Sequence, residues 1–93
     1  MTIVSYKKIE EFFAKNPDAE VPLSIWFHTA KNSKWDNTDD LKNTFSSAKY
    51  LKNGLYTFDF KSKEYYIVAK VIFASQKMYI RFIGTSEEFS NFK

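Results

Sequence analysis

Two hydrophobic periods divide this chain, and they meet near Gly54. Ahead of that glycine, apolar residues recur at steps of three and four, the spacing of one helix face. Thr2 to Val4 reads as a short strand, and Ser5 as the N-cap of a helix with the apolar stripe Tyr6, Ile9, Phe12 and Phe13. Lys15-Asn16-Pro17 ends that helix, because proline lacks an amide donor and disfavours helix in the residue before it. A second helix is predicted to open between Pro17 and Pro22 and to pack Leu23, Trp26, Phe27 and Ala30. Asn37, followed by Asp39 and Asp40, marks a short third helix running through Leu41 to Phe45. Residues 46–53 read as a loop.

Beyond Gly54 the period drops to two. Tyr56, Phe58 and Phe60 share one face of a strand, and Leu55, Thr57 and Asp59 the other. A four-residue turn, Lys61 to Glu64, sets Phe60, Phe58 and Tyr56 beside Tyr65, Ile67 and Ala69. A second four-residue connection, Ala74-Ser75-Gln76-Lys77, pairs Phe73 with Met78 and so places Lys70 directly opposite Arg81. One sheet face, completed by Met78, Ile80 and Phe82, packs on the helices. In this register Ile67, Ala69, Val71, Ile80 and Phe82 are buried against Phe12, Phe13, Trp26 and Phe27. The other face presents Thr57, Asp59, Tyr66, Val68, Lys70, Tyr79, Arg81, Ile83 and Thr85. The predicted architecture is α+β, with N-terminal helices on one face of a small twisted antiparallel sheet.

Composition narrows the function classes. At 93 residues the chain is long enough for one core and too short for two, so residues 1–93 are expected to form a single domain. Aromatic residues make up 19% of it, which supplies the large buried areas a short chain needs. There is no cysteine, no apolar run near the ~18 residues of a membrane span, and no signal-like N-terminus, so a cytoplasmic protein without a membrane partner is expected. The formal net charge is +3. Seven lysines balance seven acids up to residue 50, so the whole excess lies in the sheet half. A basic sheet points to a phosphate-rich partner.

Arg81 is the only arginine, set among thirteen lysines and inside the apolar run Met78 to Gly84. A guanidinium that stays ionised needs an anionic partner when it sits in a strand. Like charges across a strand pair repel, and a phosphodiester held between Lys70 and Arg81 would account for the pair. The competing reading is a solvated face with Asp59 or Glu88 as ordinary ion-pair partners. Tyr66 and Tyr79 beside these cations make a surface suited to single-stranded RNA, which Lys61, Lys63 and Lys77 extend. The lone His28 reads as a partly buried structural residue. No metal-ligand spacing and no glycine-rich phosphate loop is present, so neither a metal nor a cofactor is expected.

These residues also carry a resemblance. Ser75-Gln76-Lys77-Met78-Tyr79-Ile80-Arg81-Phe82-Ile83-Gly84-Thr85, followed by Glu88, resembles the C-terminal signature of HigB-type toxins, members of the RelE-like superfamily of mRNA interferases. Asn16 to Leu23, Lys34-Trp35 and Phe45-Ser46-Ser47-Ala48 are similar to the same family. The resemblance implies a RelE-like fold and the toxin of a type II toxin-antitoxin module. It implies a helix-turn-helix, HigA-like antitoxin as partner, and ribosome-dependent cleavage of translated mRNA. The chemistry it implies is metal-free attack of a ribose 2′-oxygen on the adjacent phosphate. Arg81 then stabilises the developing charge, with Lys70 assisting it. Where the family pattern has His and Tyr after Gly-Thr, this chain has Ser86 and Phe89, and Tyr65-Tyr66 lacks the arginine of the family's Tyr-Arg. Proton transfer then falls to Tyr66, Glu88 or Lys63, or the reaction leans on charge stabilisation alone. The alternative is a non-catalytic relative that retains antitoxin and RNA binding.

Overall fold

A computed structural model describes residues 1–92. In chain order the elements are β1 (Thr2–Val4), α1 (Tyr6–Lys15), a single 3-10 turn (Pro17–Ala19), α2 (Glu20–Lys31), α3 (Thr38–Thr44), β2 (Lys49–Lys52), β3 (Leu55–Phe60), β4 (Tyr65–Ile72), β5 (Lys77–Thr85) and α4 (Ser86–Phe92). The five strands form one sheet in the order β1-β5-β4-β3-β2. The sheet is mixed rather than wholly antiparallel, because β1 runs parallel to β5 while the other neighbours run antiparallel. β2 occupies part of the segment expected to be loop. Its exposed Lys49, Tyr50 and Lys52 carry no apolar alternation, so only pairing to β3 reveals it as a strand.

Local chemistry explains the helix boundaries. α1 stops at Asn16, whose backbone and side-chain nitrogens both donate to the Phe12 carbonyl, at 2.9 and 3.1 Å, immediately ahead of Pro17. Asn37 caps α3, its Oδ1 accepting the Asp40 amide at 2.9 Å. Ser5 does not cap α1 as expected. It takes a left-handed φ of 73° and its hydroxyl makes no cap bond. His28 is exposed rather than partly buried, with its ring edge-on to Phe27.

The core lies between the helices and the sheet. Ile9, Leu23, Leu41, Trp35, Phe58, Ile67, Met78 and Ile80 are all buried. Ala69 and Val71 are buried with them, while Phe12, Phe13 and Phe27 pack partly covered at the margin. Phe58 stands at the centre, 5.4 Å from both the Trp26 and Phe45 rings.

The β3–β4 register is the expected one, with Phe60 opposite Tyr65 and Tyr56 opposite Ala69. The β4–β5 register is not. Ile72 pairs with Lys77 and Val71 with Met78, two residues away from the expected alignment, so Lys70 lies opposite Tyr79 and not opposite Arg81. The cause is the turn. Gln76 has a left-handed φ of 55°, its side chain donates to the Trp35 and Phe73 carbonyls, and its own carbonyl accepts the Thr2 amide at 2.8 Å. Those contacts hold Phe73 to Gln76 as the connection.

A second irregularity follows. Ala69 pairs with Ile80 and Val68 with Phe82, which leaves Arg81 as the extra residue of a β-bulge. The bulge reverses side-chain parity along the rest of β5. Phe82, expected in the core, is half-buried on the opposite face, within 5.0 Å of Phe92 and 6.5 Å of Phe89. Ile83, expected on the outer face, packs against the core.

The outer face is therefore not bare. α4 lies across it, and Phe89 stacks on Tyr66 with ring centroids 4.5 Å apart and planes 6° from parallel. Val68 and Thr57 are buried. A reciprocal cap starts α4: Thr85 donates its amide to Glu88 Oε1 at 2.8 Å, and Thr85 Oγ1 accepts the Glu88 amide at 3.2 Å. Gly84 permits this approach, since a Cβ there would fall 2.6 Å from Phe82 Cζ and 2.9 Å from Glu88 Oε1. Gly84→Ala is expected to destabilise the protein by about 1–3 kcal/mol through overpacking, read as a lower urea midpoint.

An ionic clasp ties the β3–β4 hairpin to the 3-10 turn. Lys61 pairs with Asp18 and, at 3.0 Å, with Glu64, while the Tyr65 hydroxyl donates to Asp18 at 2.8 Å. The bonds from Lys61 and Tyr65 hold the Asp18 carboxyl below its ordinary 3.8, and Asp18 and Glu64 raise Lys61 above its ordinary 10.5. A lowered carboxylate pKa stabilises the fold above about pH 4 and ceases to do so as pH falls through the folded value. The raised ammonium pKa contributes below about pH 10.5 and is lost as pH rises past it. Asp18→Asn is expected to flatten the acid limb of a stability-against-pH curve measured by urea unfolding.

Candidate phosphodiester site

Arg81 and Lys70 meet by a different route from the one their spacing suggested. The bulge brings Arg81 to the rim of a depression of ≈ 350 Å³ lined by Asn53, Leu55, Lys70, Arg81 and Phe92. Among the described residues no carboxylate borders it. Neither cation is ion-paired among the described residues, so the expected alternative partners, Asp59 and Glu88, make no direct ion pair with them. Between Asn53 and Leu55, Gly54 takes a left-handed φ of +79° that glycine adopts without strain, and a Cβ placed there would touch Lys70 Cε at 3.4 Å, an ordinary contact. Two cations with no acid among the described lining residues form a ready anion site, and the guanidinium fork matches two phosphate oxygens. Tyr79, half-buried, lies beside Lys70 on the same face.

The remaining candidates are dispersed. Tyr66 and Lys63 border a second depression of ≈ 470 Å³, together with Lys42, Lys49, Asp59 and the exposed Tyr50. Its floor is the stacked Tyr66–Phe89 pair. Glu88 lies instead in a third cleft, of ≈ 370 Å³, with Arg81 and residues of α1. One of its carboxylate oxygens is engaged in the α4 cap. Lys61 is committed to the Asp18 clasp. Lys77 opens β5, opposite Ile72 and Thr2, about 13 Å along the strand from Arg81.

Phe92, Lys42 and Lys49 were not anticipated. Phe92 comes into place only because α4 folds back over β5, and a readable signal for that helix existed in Thr85-Ser86-Glu87-Glu88, a capping-box pattern. Lys42 and Lys49 come from separate elements, and no spacing along the chain joins them to Tyr66. Among the described residues no group of three or more His, Cys, Asp or Glu is placed to hold a metal ion.

Comparison with known proteins decides the family. Residues 19–92 match the HigB_toxin family, described as the RelE-like toxic component of a toxin-antitoxin system. The chain belongs to the HigB family. The mRNA interferase toxin HigB of Escherichia coli K12 is 30% identical over 95 residues, covering 99% of this chain and 90% of that protein. The mRNA interferases HigB of Escherichia coli O157:H7 and Shigella flexneri match to the same extent. As a HigB-family toxin the chain has an antitoxin as partner. Its α+β architecture, helices on a mixed five-stranded sheet, accords with RelE-like toxins. No helix among the described residues is long and apolar enough to cross a membrane. In this HigB-family chain Tyr66, Ser86 and Phe89, the positions expected to depart from the family pattern, are adjacent in space. Phe89 lies flat on Tyr66, and Ser86 opens the same helix.

Proposed function

We propose that this chain is an mRNA interferase that acts in the cytoplasm on translated mRNA, in which Arg81 and Lys70 hold the scissile phosphodiester. The observation that carries this reading is the depression that Arg81 and Lys70 share, in which, among the described residues, no carboxylate lines the wall and neither cation is ion-paired. In the reaction, a ribose 2′-hydroxyl loses its proton and the oxygen attacks the adjacent phosphorus. The bond to the 5′-oxygen breaks, and that oxygen takes up a proton. The products are a 2′,3′-cyclic phosphate and a 5′-hydroxyl end. Arg81 contributes by binding the charge that builds on the phosphoryl oxygens, a role worth most where the donor is already positioned. Proton transfer falls to Glu88, which shares a cleft with Arg81, or to Tyr66, which lines the second depression, and the ribosome supplies the remaining alignment of the strand. A HigA-like helix-turn-helix antitoxin restrains the toxin.

The test is induction without the antitoxin, followed by mapping of RNA 5′ ends. New 5′-hydroxyl ends inside translated reading frames, with naked RNA left intact, are the expected result. Growth arrest with no such ends would refute it.

The Tyr66–Phe89 stack favours a second reading, a toxin-like protein that binds antitoxin and RNA without cutting. Ser86→His combined with Phe89→Tyr separates the two. The double variant is expected to raise cleavage above an already measurable wild-type level. Cleavage by the variant alone would support the non-catalytic reading.

A further inference from the structure

Two hairpin turns of this sheet meet one conformational demand with different residues. A tight turn between antiparallel strands needs left-handed backbone, which glycine and asparagine adopt most easily. The β2–β3 turn uses Asn53 and Gly54, at φ 49° and 79°. The β3–β4 turn instead places Lys61, Ser62 and Lys63 in that region, at φ 53°, 54° and 69°. Three successive left-handed residues that each carry a Cβ are strained, because the Cβ crowds the following carbonyl oxygen. Such strain persists only where surrounding contacts over-determine it.

Those contacts reach two other parts of the molecule. Lys61 leaves the turn to pair with Asp18 and Glu64, and its ammonium lies 5.8 Å from the centroid of the Tyr65 ring. The Glu64 amide donates to the Lys61 carbonyl at 3.1 Å, and the Glu64 carbonyl accepts the amide of Ser86, the first residue of α4, at 2.9 Å. Held from both sides, the turn presents the exposed Lys63 on the rim of the ≈ 470 Å³ depression. Lys42 and Lys49 line the same depression, against one acid among the described lining residues, Asp59. None of the three lysines is ion-paired among the described residues.

We propose that Asp18 is a positioning residue for RNA: through Lys61 it holds the strained turn in the conformation that sets Lys63 on a rim shared with Lys42 and Lys49, where the three ammonium groups bind a phosphate of the strand. Lysine is a compact charge on a flexible stem, so its placement depends on the backbone beneath it. An Asn-Gly pair at Ser62 and Lys63 would relieve the strain and delete the cation. The inference rests on the RNA-binding part of the proposed function.

The experiment measures the affinity of a single-stranded RNA carrying 2′-O-methyl groups, as a function of salt, for the full chain and for Asp18→Asn, Lys63→Ala, and Asp18→Asn combined with Ser62→Asn. Losing one phosphate contact lowers the slope of log affinity against log salt by about 0.7, which is about fivefold in affinity at about 0.1 M salt. Asp18→Asn and Lys63→Ala are each expected to show that loss. Removing a carboxylate would by itself tighten binding to a polyanion, so weakening in Asp18→Asn is opposite in sign to the general electrostatic effect. Ser62→Asn is expected to restore most of the affinity to Asp18→Asn, because asparagine takes left-handed backbone without the clasp. Unchanged affinity and slope in folded Asp18→Asn, whatever its urea midpoint, overturn the proposal, as does a loss that Ser62→Asn leaves unrepaired. These effects in a toxin that leaves translated mRNA uncut support the positioning role while counting against the interferase reading. A wild-type protein that binds no RNA removes both.

Discussion

Arg81→Ala is expected to lower cleavage of translated mRNA about 100- to 1,000-fold, the range seen when one positioned donor to a transition-state oxyanion is removed. The loss should fall on the chemical step, because alanine removes charge stabilisation that matters most as the phosphoryl group becomes pentacoordinate. Arg81 is exposed and makes no ion pair among the described residues, so its removal leaves no buried charge behind and the fold should persist. Arg81→Lys should recover only part of the activity, since an ammonium keeps the charge but not the bidentate fork. Single-turnover cleavage on programmed ribosomes is the appropriate measurement. Equal rates for wild type and Arg81→Ala would remove Arg81 from the chemistry.

The second large effect is on stability. Phe58→Ala is expected to cost about 3–5 kcal/mol, because the ring is 1% exposed and packs against rings from two separate parts of the chain. Trp26 packs on it edge-on from α2, and Phe45, just beyond α3, does the same. Neither ring is free to collapse into the vacated space, since Trp26 also stacks on Phe45 and Trp35 packs on Phe45 from the other side. A domain of this size has roughly 5–10 kcal/mol in total, so the variant should lose much of its folded population at growth temperature. Trp26→Phe offers the contrast. Among the described residues the buried Trp26 indole nitrogen has no hydrogen-bond partner, so losing it removes an unsatisfied donor and offsets part of the lost packing. Urea unfolding of the two variants should separate them by well over 1 kcal/mol.

Periodicity made most of the fold legible, and its failures have specific physical causes. The helical stripes of α1 and α2 and the cap of α3 were readable because one residue type at one spacing determines each. The β3–β4 register was readable because a one-residue slip would have turned Phe58 and Phe60 outward. At β4–β5 a two-residue shift preserves the faces, so hydrophobic pattern alone does not choose between registers. The choice is made by Gln76, through hydrogen bonds to Trp35, 41 positions away. The bulge at Arg81 is likewise invisible to a strict period of two. It undoes the expected cross-strand contact with Lys70 and yet leaves both cations on one depression. The candidate site was thus legible in its chemistry, an isolated arginine and a nearby strand lysine, and illegible in its geometry. Lys61 was legible in its charge and not in its surroundings: in the structure it pairs with Asp18 and Glu64, and its spacing gave no sign of Asp18.

The most direct measurement is a nuclear magnetic resonance titration with a short single-stranded RNA carrying 2′-O-methyl groups, which cannot be cut by attack of the 2′-oxygen. A phosphodiester held between Arg81 and Lys70 should move the Arg81 guanidinium and Lys70 ammonium signals together, with one saturation curve, and Arg81→Ala should abolish the Lys70 response. Shifts confined to the Tyr66, Lys63 and Lys49 side of the sheet, with Arg81 and Lys70 unmoved, would contradict the shared site.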